Sequence, residues 1–210
     1  MMNRTYLFLG DSITDSDHLW LQDHDDLGDG FVYMLSRKLN GRMVNRGIDG
    51  YTTAALRRKI ETSRRQYGSA SWFENAWQLQ SGADRINLLI GINDIGVCQN
   101  TCLSLEEFNL AENYEYVLRA LKDTNIPVRC EGPFIFPHPQ CYSSWIPDVL
   151  KAESVMKDIA SSMSIPFLPL HSFLNDKAQN CGCKEITTDG IHLTQMGHRY
   201  LADLLTEFLA

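Results

Sequence analysis

Short apolar runs alternate with longer amphipathic stretches along the chain, and this alternation constrains the fold more than any other feature. Five runs have the length and apolar character of buried strands, and the stretches between them repeat apolar residues at helical spacing. This pattern is typical of βαβ units, whose strands form a parallel sheet with helices on both faces. The predicted strands are residues 5–9, 43–46, 85–90, 127–131 and 166–170.

Capping residues and apolar spacing predict helices between and after these strands. Thr52 and Thr53 offer an N-cap for a basic helix, and Ser104 with Glu107 forms a capping box. The predicted helices are residues 31–39, 53–67, 104–123, 147–163 and 194–208. Residues 20–30 are acidic and irregular, and residues 133–147 contain four prolines, so both segments are predicted to be loops.

Length, composition and charge narrow the class of protein. A chain of 210 residues fits a single domain spanning residues 1–210, and hydrophobic and charged contents of 44% and 21% are those of a globular protein with a sizeable core. The net charge of −7 argues against a nucleic-acid partner, because phosphate binding needs a basic surface. The basic cluster at residues 57–65 is interpreted as a solvated helix face. The sequence leaves the oligomeric state open.

Neither a membrane span nor a signal peptide is predicted. No stretch is long enough to cross a bilayer, and the first apolar run is only five residues long. We therefore expect a cytoplasmic protein, unless a leader has been removed from the sequence.

The cysteines are expected to be mostly free thiols, because disulfides are rare in the cytoplasm. The pairs Cys98/Cys102 and Cys181/Cys183 lack the C-x-x-C spacing typical of zinc sites, and a bridge within the second pair would be strained. A metal site or a disulfide is the less favoured alternative. The other two cysteines are Cys130 and Cys141.

The tripeptide Gly10-Asp11-Ser12 directly follows the first predicted strand. It places one hydroxyl at the carboxyl edge of the sheet, where ligands bind in open α/β folds. The same tripeptide is also favourable turn or helix-cap sequence. Whether Ser12 is a nucleophile therefore depends on the residues that the rest of the chain brings to this edge.

A base for Ser12 is found just before the last predicted helix. Asp189 precedes His192 by three residues, so its carboxylate can hold one imidazole nitrogen as N–H and leave the other free to accept the serine proton. The alternative is that Asp189 is a turn residue and His192 a local cap. The remaining histidines are interpreted as surface or core residues: His18, His24, His138, His171 and His198.

Acyl transfer also needs donors for the oxyanion, and three candidates lie in turns at the same sheet edge. They are the backbone N–H groups of Ser12 and Gly50 and the side-chain amide of Asn93. Gly50 permits a close backbone approach, since it has no Cβ. Asn93 would alternatively be only a turn residue.

These segments together resemble the four conserved blocks of the SGNH (GDSL-type) hydrolases, in the same order. The matching blocks are residues 10–12, 45–53, 91–94 and 189–192. Ile13 stands where the family name has Leu, and Leu193 stands where many relatives have Pro. No G-x-S-x-G elbow is present, which disfavours an ordinary α/β-hydrolase.

The resemblance implies a fold and a role for each matching residue. The implied fold is a three-layer α/β/α sandwich around a five-stranded parallel, flavodoxin-like sheet. Ser12 would be the nucleophile, His192 the base and Asp189 the residue that orients it. Ser12 N–H, Gly50 and Asn93 would form the oxyanion hole.

The predicted function is a serine ester hydrolase that works through an acyl-enzyme and needs no metal or cofactor. The predicted substrate is a small-molecule ester, with a short acyl group such as acetyl on a polar alcohol such as a sugar. An acyl-thioesterase, a lysophospholipase and a catalytically inactive binding relative are the alternatives. The expected rim is formed by the acidic residues 15–30 and by aromatic residues that would face a sugar or pack in the core: Phe134, Phe136, Tyr142 and Trp145.

Overall fold

The computed structural model describes residues 4–138 and 140–209, with the backbone alone at Gln140 and Cys141. Its centre is a parallel five-stranded sheet in the order β2-β1-β3-β4-β5. This is the strand order of flavodoxin-like doubly wound folds, so the predicted fold class is confirmed. The strands are β1 (Arg4–Gly10), β2 (Gly41–Gly47), β3 (Arg85–Leu89), β4 (Val128–Glu131) and β5 (Phe167–Leu168).

Helices cover the two faces of the sheet and complete the three layers. They are α1 (Ser12–Asp15), α2 (Phe31–Ser36), α3 (Thr53–Tyr67), α4 (Trp72–Trp77), α5 (Ile92–Thr101), α6 (Leu110–Lys122), α7 (Ile146–Ser162), α8 (Leu170–Cys181), α9 (Cys183–Ile186) and α10 (Gln195–Leu209), with a 3₁₀ helix at Gln140–Trp145. In one layer α3 packs against α4 and α6, and α6 packs against α7; in the other α2 packs against α10. Within the described ranges, no helix has both the length and the apolar character needed to cross a membrane.

Strand β1 lies between β2 and β3, and its register aligns the ends of all three strands. The adjacent residues Leu7 and Phe8 point to opposite faces and are 0% and 1% exposed, as expected for a parallel strand that is covered on both faces. Gly10 pairs with Gly47 of β2 on one side and with Leu89 of β3 on the other. After β1 the chain continues to β2 on one side, and after β2 it crosses to β3 on the other side of β1. The loops that follow β1, β2 and β3 therefore lie together at one edge of the sheet.

Helices that were not predicted account for most of the difference between the predicted and the observed elements. α1 and α5 begin in segments that resemble turns, because Asp, Ser and Asn are favoured both in turns and at helix starts. α8 begins at Leu170, where the fifth strand was predicted to end. α4 and α9 were not predicted either, and both are too short to show a clear helical period.

The capping box at Ser104 is present, but it does not start the long helix. Ser104 N donates to Glu107 Oε2 at 2.8 Å, and Glu107 N donates to Ser104 Oγ at 3.1 Å. Asn109 then adopts a left-handed conformation with φ 59°, which interrupts the helical path. Helix α6 therefore begins at Leu110 rather than at residue 104.

Two of the five basic residues of α3 are paired with carboxylates. Arg57 lies 2.9 Å from both Glu61 and Glu112, and Arg64 lies 3.0 Å from Asp123 on the neighbouring segment. These contacts fit the interpretation of a solvated helix face at Arg57 and Arg64, whereas Lys59 lies over the ring of Trp77.

A glycine at the end of β2 allows α1 to pack directly against the sheet. A Cβ added to Gly47 would lie 2.3 Å from the backbone N of Asp15, which is far inside van der Waals contact. The backbone of α1 cannot give way as a flexible side chain would. Gly47 therefore fixes how closely the segment that carries Ser12 approaches β2.

We expect Gly47→Ala to lower the free energy of unfolding by about 1–3 kcal/mol, as overpacking in a close-packed region typically does. Gly82→Ala is the matched control, because nothing lies within 4 Å of its added Cβ. Urea denaturation of both variants measures the difference. Equal stability of the two variants would show that α1 does not depend on this contact.

Candidate active site

Ser12 is the first residue of α1 and follows β1 after a single residue. Asp11 caps this short helix, since its Oδ1 accepts the N–H of Ile13 at 3.1 Å. The N–H of Ser12 belongs to the first helical turn and has no intrahelical acceptor. The sequence Gly-Asp-Ser therefore presents both a hydroxyl and a free backbone donor at the sheet edge.

A chain of hydrogen bonds joins Ser12 to the two residues predicted to activate it. Ser12 Oγ lies 3.0 Å from His192 Nε2, and His192 Nδ1 lies 2.7 Å from Asp189 Oδ2. A carboxylate partner holds the proton on Nδ1, so Nε2 is the nitrogen that accepts from the serine. The structure brings Ser12, His192 and Asp189 together in the arrangement that nucleophilic catalysis requires.

The Asp189 carboxylate remains charged in spite of its partial burial. Burial raises its pKa, but the hydrogen bonds from the His192 ring and from the backbone N–H groups of Ile191 and His192 outweigh burial and hold the pKa below its ordinary value. Both backbone bonds to Oδ1 are 2.8 Å long. Asp189 therefore orients the histidine through its ring and through its backbone.

Hydrogen bonds within the loop that carries Asp189 and His192 hold its two sides together before α10 begins. Thr187 forms an isolated antiparallel bridge with Leu193, and Thr188 N donates to the carbonyl of His192 at 3.0 Å. Thr187 Oγ1 accepts from Gly190 N at 2.8 Å. These contacts fix the backbone on both sides of His192, and the ring keeps its position relative to Ser12.

The predicted oxyanion donors lie at the start of α1, in the loop after β2 and at the start of α5, and hydrogen bonds connect these segments to one another. Asn93 Nδ2 donates to the carbonyl of Tyr51 at 3.0 Å, which uses one of its two N–H groups. Gly50 immediately precedes Tyr51 and has a positive φ of 70°. Asp49 N donates to Asp15 Oδ2 at 3.2 Å, which connects this loop to α1. Among the described residues, the N–H groups of Ser12 and Gly50 have no acceptor.

Two buried carboxyls support these segments. Asp11 was considered from the sequence only as a turn or cap residue, and Asp94 was given no role. Asp94 is fully buried and accepts the N–H of Thr53 at 3.0 Å and its hydroxyl at 2.5 Å. Asp11 is 1% exposed, and burial raises the pKa of both carboxyls to about 7. The Asp94–Thr53 contact joins the start of α5 to the start of α3, and so fixes Asn93 relative to the loop that contains Gly50.

A cavity of about 560 Å³ opens beside Ser12 and His192. Four aspartates contribute to its wall, together with Ser16, Thr188, Leu193, Thr194, Gln195 and His198. The aspartates are Asp15, Asp17, Asp29 and Asp49, and the first three belong to the acidic segment predicted to form a rim. Gly50 and Asn93 do not line this cavity.

The prediction that four aromatic residues line the rim is wrong for Phe134 and Phe136. Phe134 and Phe136 are 0% exposed and stack edge to face in the core, so they cannot face a substrate. Tyr142 and Trp145 are partly buried and pack against each other with ring centroids 4.8 Å apart. The two phenylalanines of this proline-rich segment are therefore part of the core.

The described residues contain no group of three or more His, Cys, Asp or Glu side chains that could hold a metal ion. Five cysteines are free thiols in this part of the chain: Cys98, Cys102, Cys130, Cys181 and Cys183. The Cys141 side chain lies outside the described residues. The expectation that the reaction needs no metal or cofactor stays a prediction.

His198 was interpreted as a surface or core residue, and it is buried with its Nδ1 bonded to the backbone of Phe31. The sequence analysis did not place it beside the site, but it lines the same cavity as Ser12 and His192. The sequence contains a signal for it, since His198 lies six residues after His192 and near the start of the last helix. Only the cavity shows that both imidazoles face the same space.

Three comparisons relate the chain to known proteins. The model of the GDSL-like lipase/acylhydrolase family matches residues 8–200. Among curated proteins no relative matches. Many solved structures have the same fold.

Two of those structures illustrate how far the likeness extends. LAE5, an α/β hydrolase enzyme from the metagenome of Lake Arreo in Spain, is 21% identical with a TM-score of 0.75, over 99% of this chain and 96% of its own. A variant of Axe2, an acetyl xylan esterase from Geobacillus stearothermophilus, is 22% identical with a TM-score of 0.72, over 97% of this chain and 93% of its own. At this identity the structural likeness shows the fold, and the family match shows the class of activity. The chain belongs to the GDSL-like lipase/acylhydrolase family, and it is a serine ester hydrolase.

Proposed function

We propose that Ser12 is the nucleophile of this hydrolase, that His192 is its general base and acid, and that Asp189 orients the histidine. The observation that carries the proposal is the continuous set of hydrogen bonds from Ser12 Oγ through the His192 ring to the Asp189 carboxylate. A free serine hydroxyl is a weak nucleophile, and this arrangement supplies the base that it needs.

The reaction would proceed through an acyl-enzyme. Ser12 Oγ attacks the ester carbonyl carbon while His192 Nε2 takes its proton, and the carbonyl oxygen becomes an oxyanion. The N–H groups of Ser12 and Gly50 and the second N–H of Asn93 stabilise this charge. His192 returns the proton to the leaving alcohol. A water molecule then attacks the acyl carbon while His192 takes its proton, and the acid leaves as Ser12 Oγ recovers that proton.

Two observations support these roles over an inactive binding relative. The contacts of Ser12 with His192 and of His192 with Asp189 match those expected of a nucleophile, its base and the orienting carboxylate, and the candidate oxyanion donors Gly50 and Asn93 are retained in the sequence. The solved structures of Axe2 also include catalytic mutants of a serine, an aspartate and a histidine, with the last two three positions apart as in this chain.

The substrate that we propose is a short acyl ester, acetyl in particular, of a neutral polar alcohol such as a sugar. His192 must hand its proton to the leaving alcohol, so the alcohol belongs on the His192 side of Ser12. The cavity on that side has four aspartates in its wall, and carboxylates accept hydrogen bonds from hydroxyl groups. That Axe2 is described as an acetyl xylan esterase agrees with this choice.

The same charges argue against the two other enzymatic alternatives. Lysophospholipids and acyl-CoA thioesters both carry phosphate groups on the leaving-group side of the scissile bond. Phosphates beside four aspartates would meet like-charge repulsion, which disfavours binding. A neutral polyol meets no such penalty.

Covalent labelling tests the nucleophile. A fluorophosphonate probe should label the wild-type protein once and Ser12→Ala not at all, because only an activated serine attacks phosphorus. Ser36→Ala is the control, since Ser36 is a part-exposed serine whose hydroxyl is bonded to the carbonyl of Tyr33, and it should be labelled as the wild type is. Labelling of Ser12→Ala to the wild-type extent would exclude Ser12.

Removal of the Asn93 amide tests the oxyanion hole. Asn93→Ala should lower kcat by about 10²–10³-fold, the usual effect of losing one oxyanion donor. Asn100→Ala on the same helix removes an exposed amide that bonds only to Gly96 and should leave kcat unchanged. If both variants kept wild-type kcat, the Asn93 amide would have only a structural role through its bond to Tyr51.

The preference for a neutral alcohol follows from the cavity charges, and the preference for a short acyl group follows the likeness to Axe2. We expect kcat/KM to decrease from acetate to octanoate esters of p-nitrophenol, and acetylated neutral sugars to be preferred to acetyl-CoA. The acyl-length series and a direct comparison of the two acetyl donors measure both preferences. A steady increase with acyl length, or a preference for acetyl-CoA, would replace the sugar-ester proposal with a lipid or thioester one.

Several wider expectations stay predictions. These are the single domain spanning residues 1–210, the cytoplasmic location and the absence of a nucleic-acid partner. The oligomeric state stays open.

A further inference from the structure

A second histidine faces the proposed alcohol side of the active site. His198 lies on α10 and lines the cavity that contains Ser12 and His192, yet the proposed reaction gives it no role. It is only 7% exposed, and its ring stacks on Phe31 with centroids 6.4 Å apart and an interplanar angle of 15°. The position and orientation of the ring are therefore fixed by packing.

The hydrogen bonding of His198 determines which of its nitrogens carries the proton. The backbone N–H of Phe31 donates to His198 Nδ1 at 3.2 Å. A backbone N–H is always a donor, so Nδ1 must be the nitrogen without a proton. Burial lowers the pKa of His198 to about 4, so the ring is neutral near pH 7 and its proton is on Nε2.

The Nε2–H group of His198 is a donor without a partner among the described residues. Nε2 is not fully enclosed by protein atoms, which is consistent with a group that reaches the cavity. In contrast, three hydroxyls of the same wall already donate to backbone carbonyls. Ser16 donates to Ile13, Thr188 to His192 and Thr194 to Glu185. The cavity therefore combines four carboxylates, which accept, with an uncommitted donor fixed in direction.

We infer that His198 is a specificity residue that donates its Nε2–H to an oxygen of the substrate alcohol. The matching group is a hydroxyl, ring or glycosidic oxygen near the ester, as neutral sugars offer. This inference rests on the proposed function, because the cavity is the alcohol side only if His192 protonates the leaving group. His198 itself takes no part in proton transfer, since Nδ1 is held by Phe31 and Nε2 keeps its proton.

Two substitutions separate this role from the structural bond to Phe31. In His198→Asn the amide oxygen can replace Nδ1 as the acceptor for Phe31, but no donor reaches the place of Nε2. In His198→Gln the amide nitrogen can reach the place of Nε2, but the acceptor for Phe31 is lost. The first variant removes the substrate donor, and the second removes the structural acceptor.

The measurement is the ratio of kcat/KM for a monoacetylated methyl glucoside to kcat/KM for phenyl acetate, whose alcohol has no second oxygen. His198→Asn should lower this ratio about five- to tenfold, the value of one neutral hydrogen bond, mainly through KM of the sugar ester. His198→Gln should keep most of the ratio while its melting temperature falls.

The control is His171→Asn. His171 is also a buried histidine whose Nδ1 accepts a backbone N–H, from Ile135 at 3.4 Å, but it does not line the cavity. Its substitution should leave the ratio at the wild-type value.

Each other result has a separate meaning. An unchanged ratio in a folded His198→Asn variant, or the same fall in both histidine-to-asparagine variants, overturns the role of His198. Failure of the proposed function is seen instead in the wild-type protein, as absence of Ser12-dependent hydrolysis of either ester.

Discussion

The parallel alignment of three strand ends is the constraint on which the site depends. Gly10 pairs with Gly47 on one side and with Leu89 on the other, so β1, β2 and β3 end at the same level. The loops that follow then carry the serine, the glycine and the asparagine of the proposed site to a common edge. Because both neighbours of β1 are parallel to it, a shift of either strand would move a catalytic loop away from Ser12.

Two carboxyl groups are buried beneath this edge, and their hydrogen bonds only partly offset the free-energy cost of removing them from water. Both carboxylate oxygens of Asp94 accept from Thr53, whereas Oδ2 of the buried Asp11 has no partner among the described residues. A hydrophobic residue at either position would remove that desolvation cost. The carboxyls instead hold short loops at fixed distances from one another, and precise placement of donors is what stabilisation of an oxyanion requires.

The sequence was sufficient to predict the sheet and the segments that meet at its edge, because apolar runs and turn residues are local signals. It was insufficient where the outcome depends on distant contacts. Nothing around Asn109 indicates that a capping box will be interrupted, and Phe134 and Phe136 have the same local pattern whether they face solvent or the core. His198 could be assigned to the cavity only once α10 was packed beside α2, since its partner Phe31 is 167 residues away.

The separation of the reacting residues along the chain gives the enzyme a particular folding behaviour. Asp189 and His192 are three residues apart and can meet in a short loop, but Ser12 lies 180 residues from His192. Closing that separation costs chain entropy that only the assembled sheet and the packing of α10 on α2 can repay. A partly folded chain therefore carries an ordinary, unreactive serine. Hydrolytic activity therefore requires the tertiary contact between the two ends of the chain, and its recovery during refolding would report that contact rather than the formation of secondary structure.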